Sequence, residues 1–278
     1  GDVDGDGYND LLVGAPREDS RGTDAGAVYI WAGSSGLSTN TDLSAAPQFL
    51  GENINDRLGD AVHGHDTDGD GIAEILLGAP QNDASAIDAG RVYLLDGGIW
   101  AGANNVETAA TAAIAGTGLL DKLGTSLLFS DLNGDGDDEL IAGAPDNDDG
   151  GTNAGAIYVF NQASTLSGTL LDTDADLVIR GSGAYQKAGS SLSSVDVDQN
   201  TVDDLVIGAP GTSSGTASGG AAWVFRSLPT SGTALISDAD HVLSGTLPGG
   251  AAGTSLVGLA DRRGDGYGAV AVGVPFAS

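Results

Sequence analysis

Aspartate recurs at a fixed spacing in five short stretches of this chain, a spacing suited to oxygen donors around a hard cation. Counted from its first acid, the first stretch places Asp2, Asp4, Asp6 and Asp10 at positions 1, 3, 5 and 9, with Tyr8 at position 7. The second has Asp66, Asp68, Asp70 and Glu74 around Ile72, and the third has Asp131, Asn133, Asp135 and Glu139 around Asp137. The fourth has Asp196, Asp198, Asn200 and Asp204 around Val202. Four side-chain oxygens and a backbone carbonyl from position 7 suit an ion that takes six to eight oxygens at roughly 2.3–2.6 Å, which is Ca2+. Magnesium prefers a smaller octahedral shell that keeps its waters, and zinc prefers nitrogen or sulfur donors that these stretches lack. An EF-hand is excluded, because its bidentate Glu at position 12 is replaced here by Val13, Leu77, Ala142 and Ile207. The acid falls instead at the mouth of an apolar run, so each stretch reads as a loop between two strands.

The copies are unequal. Glycine at position 6 permits the sharp reversal in the first three loops, whereas the fourth has Thr201, at a cost of about 1–3 kcal/mol if its φ must be positive. In the fifth, Asp261 to Ala269, position 3 is Arg263 and position 9 is Ala269. The expectation is three strong calcium sites, a fourth that is weaker, and none in the fifth loop.

These loops are set in an internal repeat. Gly-Ala-Pro closes an apolar run at Pro16, Pro80, Pro145 and Pro210, and Gly-Val-Pro does so at Pro275, at steps of 64, 65, 65 and 65 residues. Glycines before an aromatic stretch (Gly26, Gly90, Gly155, Gly220) and after a short apolar one (Gly51, Gly116, Gly181, Gly245) keep the same step. One supersecondary unit is therefore arrayed along the chain. Each unit reads as four strands, A to D, with the acidic loop between A and B and the aromatic residues on C. Strand B covers runs such as Ile75 to Leu77, strand C Arg91 to Leu94, and strand D Gln48 to Leu50 or His241 to Leu243. Helix is expected at most around Val106 to Ala113. The fold class is all-β, a β-propeller of four-stranded antiparallel blades of about 65 residues, as an open or partial ring. Blade 1 spans 1–58 and lacks strand A; blades 2, 3 and 4 span 59–123, 124–188 and 189–252; a partial fifth spans 253–278. A segment of a longer array is favoured over a small closed ring.

Composition bounds the function. Ten Lys+Arg against 39 Asp+Glu give a net charge of −29, which repels phosphate backbones and anionic lipid, so neither a nucleic-acid partner nor membrane insertion is expected. The five loops hold 19 of those 39 acids, so much of the charge is concentrated where metal would neutralise it. With 40% hydrophobic residues the chain folds despite its charge, and without cysteine it has neither disulfides nor thiol catalysis.

The chain resembles the FG-GAP repeat family, the unit of the integrin α-subunit propeller and its bacterial relatives. The resemblance rests on Gly-Ala-Pro after strand B, the Asp-x-Asp-x-Asp-Gly-x-x-Asp loop, and the Gly-x-x-Tyr of strand C. The Phe-Gly of the family's name is here Leu58-Gly59, Leu123-Gly124, Ala188-Gly189 and Ala252-Gly253. The resemblance implies structural calcium on one face and recognition loops opposite. Those would be the B-to-C loops 17–25, 81–89, 146–154 and 211–219, and the D-to-A loops 52–57, 117–122 and 182–187.

The leading expectation is an extracellular or cell-surface, non-catalytic, calcium-stabilised recognition or adhesion module with an unidentified protein or glycan ligand. The alternatives are an accessory propeller of a larger secreted enzyme and a glycan-binding module. His63 and His65 share a strand face and read as polar lining rather than a catalytic pair. Gly211 to Gly215 matches G-x-S-x-G outside any strand-to-helix elbow, and Arg263-Gly264-Asp265 is a three-residue match; both read as accidental. Glu18, Asp19, Asp24, Asp83, Asp88, Asp146, Asp148 and Asp149 would form an acidic rim if the B-to-C loops share a face.

Overall fold

The structure, a computed structural model, describes residues 1–34, 43, 46–213, 217–261 and 264–276. Its apolar runs are too short for helices and are bounded by Gly, Pro and Asp, so they satisfy their backbone groups by pairing. In chain order the first strands are β1 (Leu11–Ala15), β2 (Ala27–Trp31), β3 (Gln48–Leu50), β4 (Ala61–His65), β5 (Glu74–Ala79), β6 (Arg91–Leu95), β7 (Ala103–Asn105) and β8 (Ala112–Ala115). Next come β9 (Ser126–Ser130), β10 (Glu139–Ala144), β11 (Ala156–Phe160), β12 (Gly168–Leu171), β13 (Leu177–Arg180) and β14 (Ser191–Val195). The last are β15 (Asp204–Ala209), β16 (Ala221–Phe225), β17 (Gly232–Leu235), β18 (His241–Ser244), β19 (Leu256–Leu259) and β20 (Ala269–Val272).

Two compact units result, one of residues 1–129 with 164–173, the other of 130–163 with 174–278. In the first unit β1, β2 and β3 pair antiparallel, and so do β4, β5, β6 and β8. In the second, β10, β11 and β13 form one antiparallel set, β14, β15, β16 and β18 another, and β19 and β20 a hairpin. The B-to-C register repeats from blade to blade: Leu11 faces Trp31, Ile75 faces Leu95, Leu140 faces Phe160 and Leu205 faces Phe225. The all-β blade architecture read from the repeat is the one observed.

The period-keeping glycines are explained by close approach. A Cβ on Gly14 would lie 2.1 Å from the carbonyl oxygen of Gly59, and one on Gly78 would meet Gly124 at the same distance. The Gly of Gly-Ala-Pro thus touches the Gly that follows Leu58 or Leu123, leaving no space for any side chain. Around this contact Val28, Phe49, Leu58, Ile75, Leu77 and Tyr93 form a buried cluster in the first unit, with the Trp100 ring edge-on to Phe49 at 5.0 Å.

Two features differ from the sequence reading. The Ala-rich segment yields only the single turn α1 (Val106–Ala109), after which Ala112 and Ala113 belong to β8. Three strands were not foreseen. Each of β7, β12 and β17 lies in a C-to-D connection and runs parallel along a strand D: β7 along β3, β12 along β8, and β17 along β13. Residues 164–173 belong to the first unit for this reason, since β12 extends the sheet of β8.

Candidate metal centres in the acidic loops

Each acidic loop is organised by its first aspartate. Asp66 accepts the Gly69 N–H through Oδ1 at 2.9 Å and the Gly71 N–H through Oδ2 at 3.0 Å. Asp2 does the same for Gly5 and Gly7, Asp131 for Gly134 and Gly136, Asp196 for Gln199 and Thr201, and Asp261 for Gly264 and Gly266. Position 5 then accepts the N–H of position 7: Asp6 from Tyr8, Asp70 from Ile72, Asp135 from Asp137, and Asn200 from Val202. A short side chain bonding its own following backbone is what allows so tight a turn.

Positions 4 and 6 both take positive φ. In loop 2 these are Gly69 at 75° and Gly71 at 92°; in loop 4 they are Gln199 and Thr201, each at 69°. The strain expected at Thr201 is present, and Gln199 adds a second strained residue that the sequence reading overlooked. Glycine at position 4 of the other four loops was the available signal.

Position 9 closes the loop from the strand side. Asp10 accepts the Val3 N–H at 2.7 Å, Glu74 the Thr67 N–H at 2.8 Å, Glu139 the Leu132 N–H at 2.8 Å and Asp204 the Val197 N–H at 2.6 Å. Carboxylate oxygens of Asp2, Asp4 and Asp6 lie within 4.8 Å of one another, as do those of Asp66, Asp68 and Asp70, and those of Asp196, Asp198 and Asp204. Asp10 and Glu74 stand outside the first two clusters, and both oxygens of Asp10 are engaged, by Val3 and Gly33. Loop 3 keeps the frame with Asn133 as its amide member, whose Nδ2 donates to Glu139 at 2.7 Å.

The donor set fits a hard cation. Asp204 is fully buried, and its Oδ1 has no hydrogen-bond partner while its carboxylate stands in the cluster with Asp196 and Asp198. A bare carboxylate oxygen in a buried position costs free energy that a cation among these three acids would recover. The protonation equilibria express the same crowding. Burial pushes Asp204 up to about 6 against the Val197 N–H, with repulsion from Asp198 and Asp196 added. Burial pushes Glu139 up to about 7, with Asp135, Asp131 and Asp138 adding repulsion. Asp4 is raised as well, by burial and then by Asp10. Arg226 lies near loop 4, 3.7 Å from Asp198 and shared with Asp240 at 3.5 Å. Beside loop 2 a cavity of about 350 Å³ is lined by Asp68, Asp70, Glu74 and Asp96, facing Ser164 and Thr165.

Several acids assigned to recognition loops are structural. Glu52 receives Arg91 Nη1 at 3.0 Å and the Tyr93 hydroxyl at 2.6 Å, and Asp56 accepts Asn82 Nδ2 at 2.7 Å; burial pushes Asp56 up to about 6. Asp19, Asp83 and Asp148 accept the N–H groups of Asp24, Asp88 and Asn153. Asp146 pairs with Lys187 at 3.0 Å and Asp149 with Arg180 at 3.1 Å. The rim charge is thus partly consumed by the loops themselves. His63 sits edge-on to Phe129 at 5.9 Å, and burial, with His65 nearby, lowers it to about 4, while His65 itself is exposed. Ser214 and Gly215 of the G-x-S-x-G match, and Arg263 of the Arg-Gly-Asp match, lie outside the described residues.

Four-stranded blades at a 65-residue step, each with an acidic turn leading into its strand B, define a repeat module of the propeller class. The FG-GAP repeat model matches residues 1–31, 59–95, 123–160 and 188–225, more than half of the chain, which therefore belongs to the FG-GAP repeat family. It is 30% identical over 217 residues to human phosphatidylinositol-glycan-specific phospholipase D, covering 75% of this chain and 25% of that protein. It is 28% identical over 219 residues to integrin alpha-PS2 of Drosophila melanogaster, covering 75% of this chain and 14% of that one. With chicken integrin alpha-8 it shares 28% identity over 245 residues, 82% of this chain and 20% of that one. The chain thus spans a quarter or less of the length of these relatives. It is an FG-GAP propeller module of the kind found in both types of protein.

Proposed function

We propose that this chain is a calcium-stabilised recognition module of an extracellular or cell-surface protein, without chemistry of its own. The observation that carries the reading is the repeated acidic frame with its close carboxylate clusters, above all the partnerless buried Oδ1 of Asp204. Calcium would be held by the Asp, Asn and Glu side chains at positions 1, 3, 5 and 9 and by the carbonyls of Tyr8, Ile72, Asp137 and Val202, with loop 4 weaker because of Gln199 and Thr201. Its role is structural: it neutralises clustered charge and locks the A-to-B turns, so binding free energy becomes folding free energy.

The partner on this reading is a protein. Ile54, Ile87, Leu119, Leu120 and Tyr185 expose apolar side chains on the B-to-C and D-to-A loops, and Leu120 and Tyr185 do so at φ of 66° and 62°. Bulky residues held in strained, exposed positions suit a protein contact better than a sugar hydroxyl lattice. A second reading, an accessory module of a larger enzyme, is supported by the similarity to phosphatidylinositol-glycan-specific phospholipase D. Among the described residues no helix is long and apolar enough to cross a membrane.

Thermal melting in calcium and in excess chelator tests the reading. A fall of roughly 10 °C or more on chelation is expected, since each site held at 100 times its Kd contributes about 2.7 kcal/mol. Superimposable melting curves would refute it.

A further inference from the structure

One position of the acidic frame is an amide where its counterparts carry charge. Position 3 is Asp4, Asp68 and Asp198 in loops 1, 2 and 4, and Asn133 in loop 3. Asn133 is followed by Gly134, and the dipeptide Asn-Gly occurs nowhere else in the 278 residues. Such a pair sets an electrophile, the side-chain Cγ, next to a nucleophile, the backbone nitrogen of the following residue. Glycine leaves that nitrogen without a side chain to shield it, and Gly134 is exposed.

The surroundings supply what a reaction between the two needs. The Asp135 N–H donates to Asn133 Oδ1 at 2.8 Å, which folds the amide back along the Gly134 peptide and sets a donor on the oxygen where negative charge develops. Asp131 Oδ1 accepts the Gly134 N–H at 2.6 Å, so a carboxylate already holds the proton that must leave. Asn133 Nδ2, the leaving nitrogen, donates to Glu139 Oε1 at 2.7 Å, and Glu139 is buried and anchored by the Leu132 N–H at 2.8 Å. A proton acceptor, an oxyanion donor and an anchor for the leaving group converge on one amide.

Loop 4 provides an internal contrast. Asn200 Oδ1 accepts the Val202 N–H at 2.7 Å and Asp196 Oδ2 accepts the Thr201 N–H at 3.0 Å, so the first two of these bonds recur. The nitrogen after Asn200, however, belongs to a β-branched residue that crowds it.

We propose that Asn133 is a self-modification site, at which loop 3 converts its own amide to a carboxylate. The Gly134 nitrogen bonds to Asn133 Cγ; its proton passes to Asp131 and is returned through solvent to Nδ2, which leaves as ammonia when the Cγ–Nδ2 bond breaks. Water then opens the cyclic imide. Opening at Cγ leaves the main chain as it was, with an aspartate at position 3, and opening at the backbone carbonyl carbon gives the β-linked isomer. The net change is one water consumed and one ammonia released. The aspartate keeps an acceptor for the Asp135 N–H, as Asp68 has for the Asp70 N–H at 3.1 Å, but loses the donor to Glu139, so two carboxylates face each other. This consequence rests on the calcium reading above: loop 3 gains the three-aspartate set of loops 1 and 2, and a cation relieves the new repulsion.

Aging the full chain in chelator near room temperature, with circular dichroism confirming the fold, tests the conversion against a synthetic peptide of residues 128–140. Peptide mapping by mass spectrometry is expected to find Asn133 converting about tenfold faster in the chain than in the peptide, with Asn200 unconverted. Asp131→Asn is expected to bring the chain down to the rate of the peptide. A chain no faster than the peptide would overturn the proposal, as would equal conversion at Asn200. The consequence has its own readout, in which Asn133→Asp is expected to raise calcium affinity several-fold over the unaged chain in a chelator-competition titration. Equal affinity would overturn that half of the proposal. If neither chain bound calcium, the metal reading would fall and the gain with it, whereas the conversion stands or falls by its rate.

Discussion

The fourth and fifth acidic loops share the hydrogen bonds of their first aspartate and differ in charge. In both, the first aspartate gathers the N–H groups of positions 4 and 6, Asp196 from Gln199 and Thr201 and Asp261 from Gly264 and Gly266. The fifth does this with the two glycines the turn prefers, the fourth with two residues at φ of 69°. Yet the strained loop gathers three carboxylates with one buried and partnerless oxygen, whereas the relaxed loop has Ala269 at position 9. In these two loops the turn is thus made by positions 1, 4 and 6, whereas the carboxylate cluster of the fourth needs the acids at positions 3 and 9 beside the first aspartate. Turn geometry alone is no indicator of metal.

That separation can be broken from either side. Asp204→Asn keeps an acceptor for the Val197 N–H and removes the buried charge. In calcium it is expected to lose one bound ion and lower the melting temperature by roughly 5–10 °C. In chelator the same substitution is expected to stabilise, because it deletes a carboxyl that burial already pushes up to about 6. Paired melts in the two buffers check the reversal. The converse experiment, Arg263→Asp with Ala269→Asp, is expected to give loop 5 a calcium ion that titration calorimetry detects.

The pH profile should invert with calcium as well. Without metal, Glu139, Asp204 and Asp56 hold protons up to about 7, 6 and 6 in the fold but release them near 4 when unfolded. Their contribution is full below pH 4 and lost as pH rises from about 4 to 7. His63, lowered to about 4, works in the opposite direction, its stability being lost as pH falls from about 6.5. Three groups outweigh one, so the calcium-free chain is expected to melt higher at pH 5 than at pH 7.5. With saturating calcium the carboxylates must be ionised, and acidification is expected to lower the melting temperature.

A smaller effect isolates the turn. Thr201→Gly is expected to relieve about 1 kcal/mol of strain and tighten calcium at loop 4 several-fold, which a chelator-competition titration would measure. Gln199→Gly is expected to do the same, and a loss of affinity in either variant would contradict the division of roles.

What was legible in the sequence was whatever repeated with a strong chemical signature. The Gly-Ala-Pro steps and the aromatic strand C located the A-to-D strands, because a glycine with no room for Cβ and a buried aromatic run leave few alternatives. The aspartates that the structure gathers, at positions 1, 3 and 5 of the first two loops and 1, 3 and 9 of the fourth, stood out through the same repetition. Strands β7, β12 and β17 were not, being three or four residues long, exposed or half-buried throughout and without apolar alternation. Their pairing is set by a neighbouring repeat and not by their own pattern. The roles of Glu52 and Asp56 were likewise hidden, since acids in a loop read as solvated until Arg91, Tyr93 and Asn82 are brought to them.

The count of bound ions tests the central claim most directly. Native mass spectrometry of the chain titrated with calcium is expected to show four ions at saturation, three binding before the fourth, with Asp204→Asn removing the last of them. A chain that takes up no calcium, or a fifth ion bound as tightly as the first three, would contradict the account.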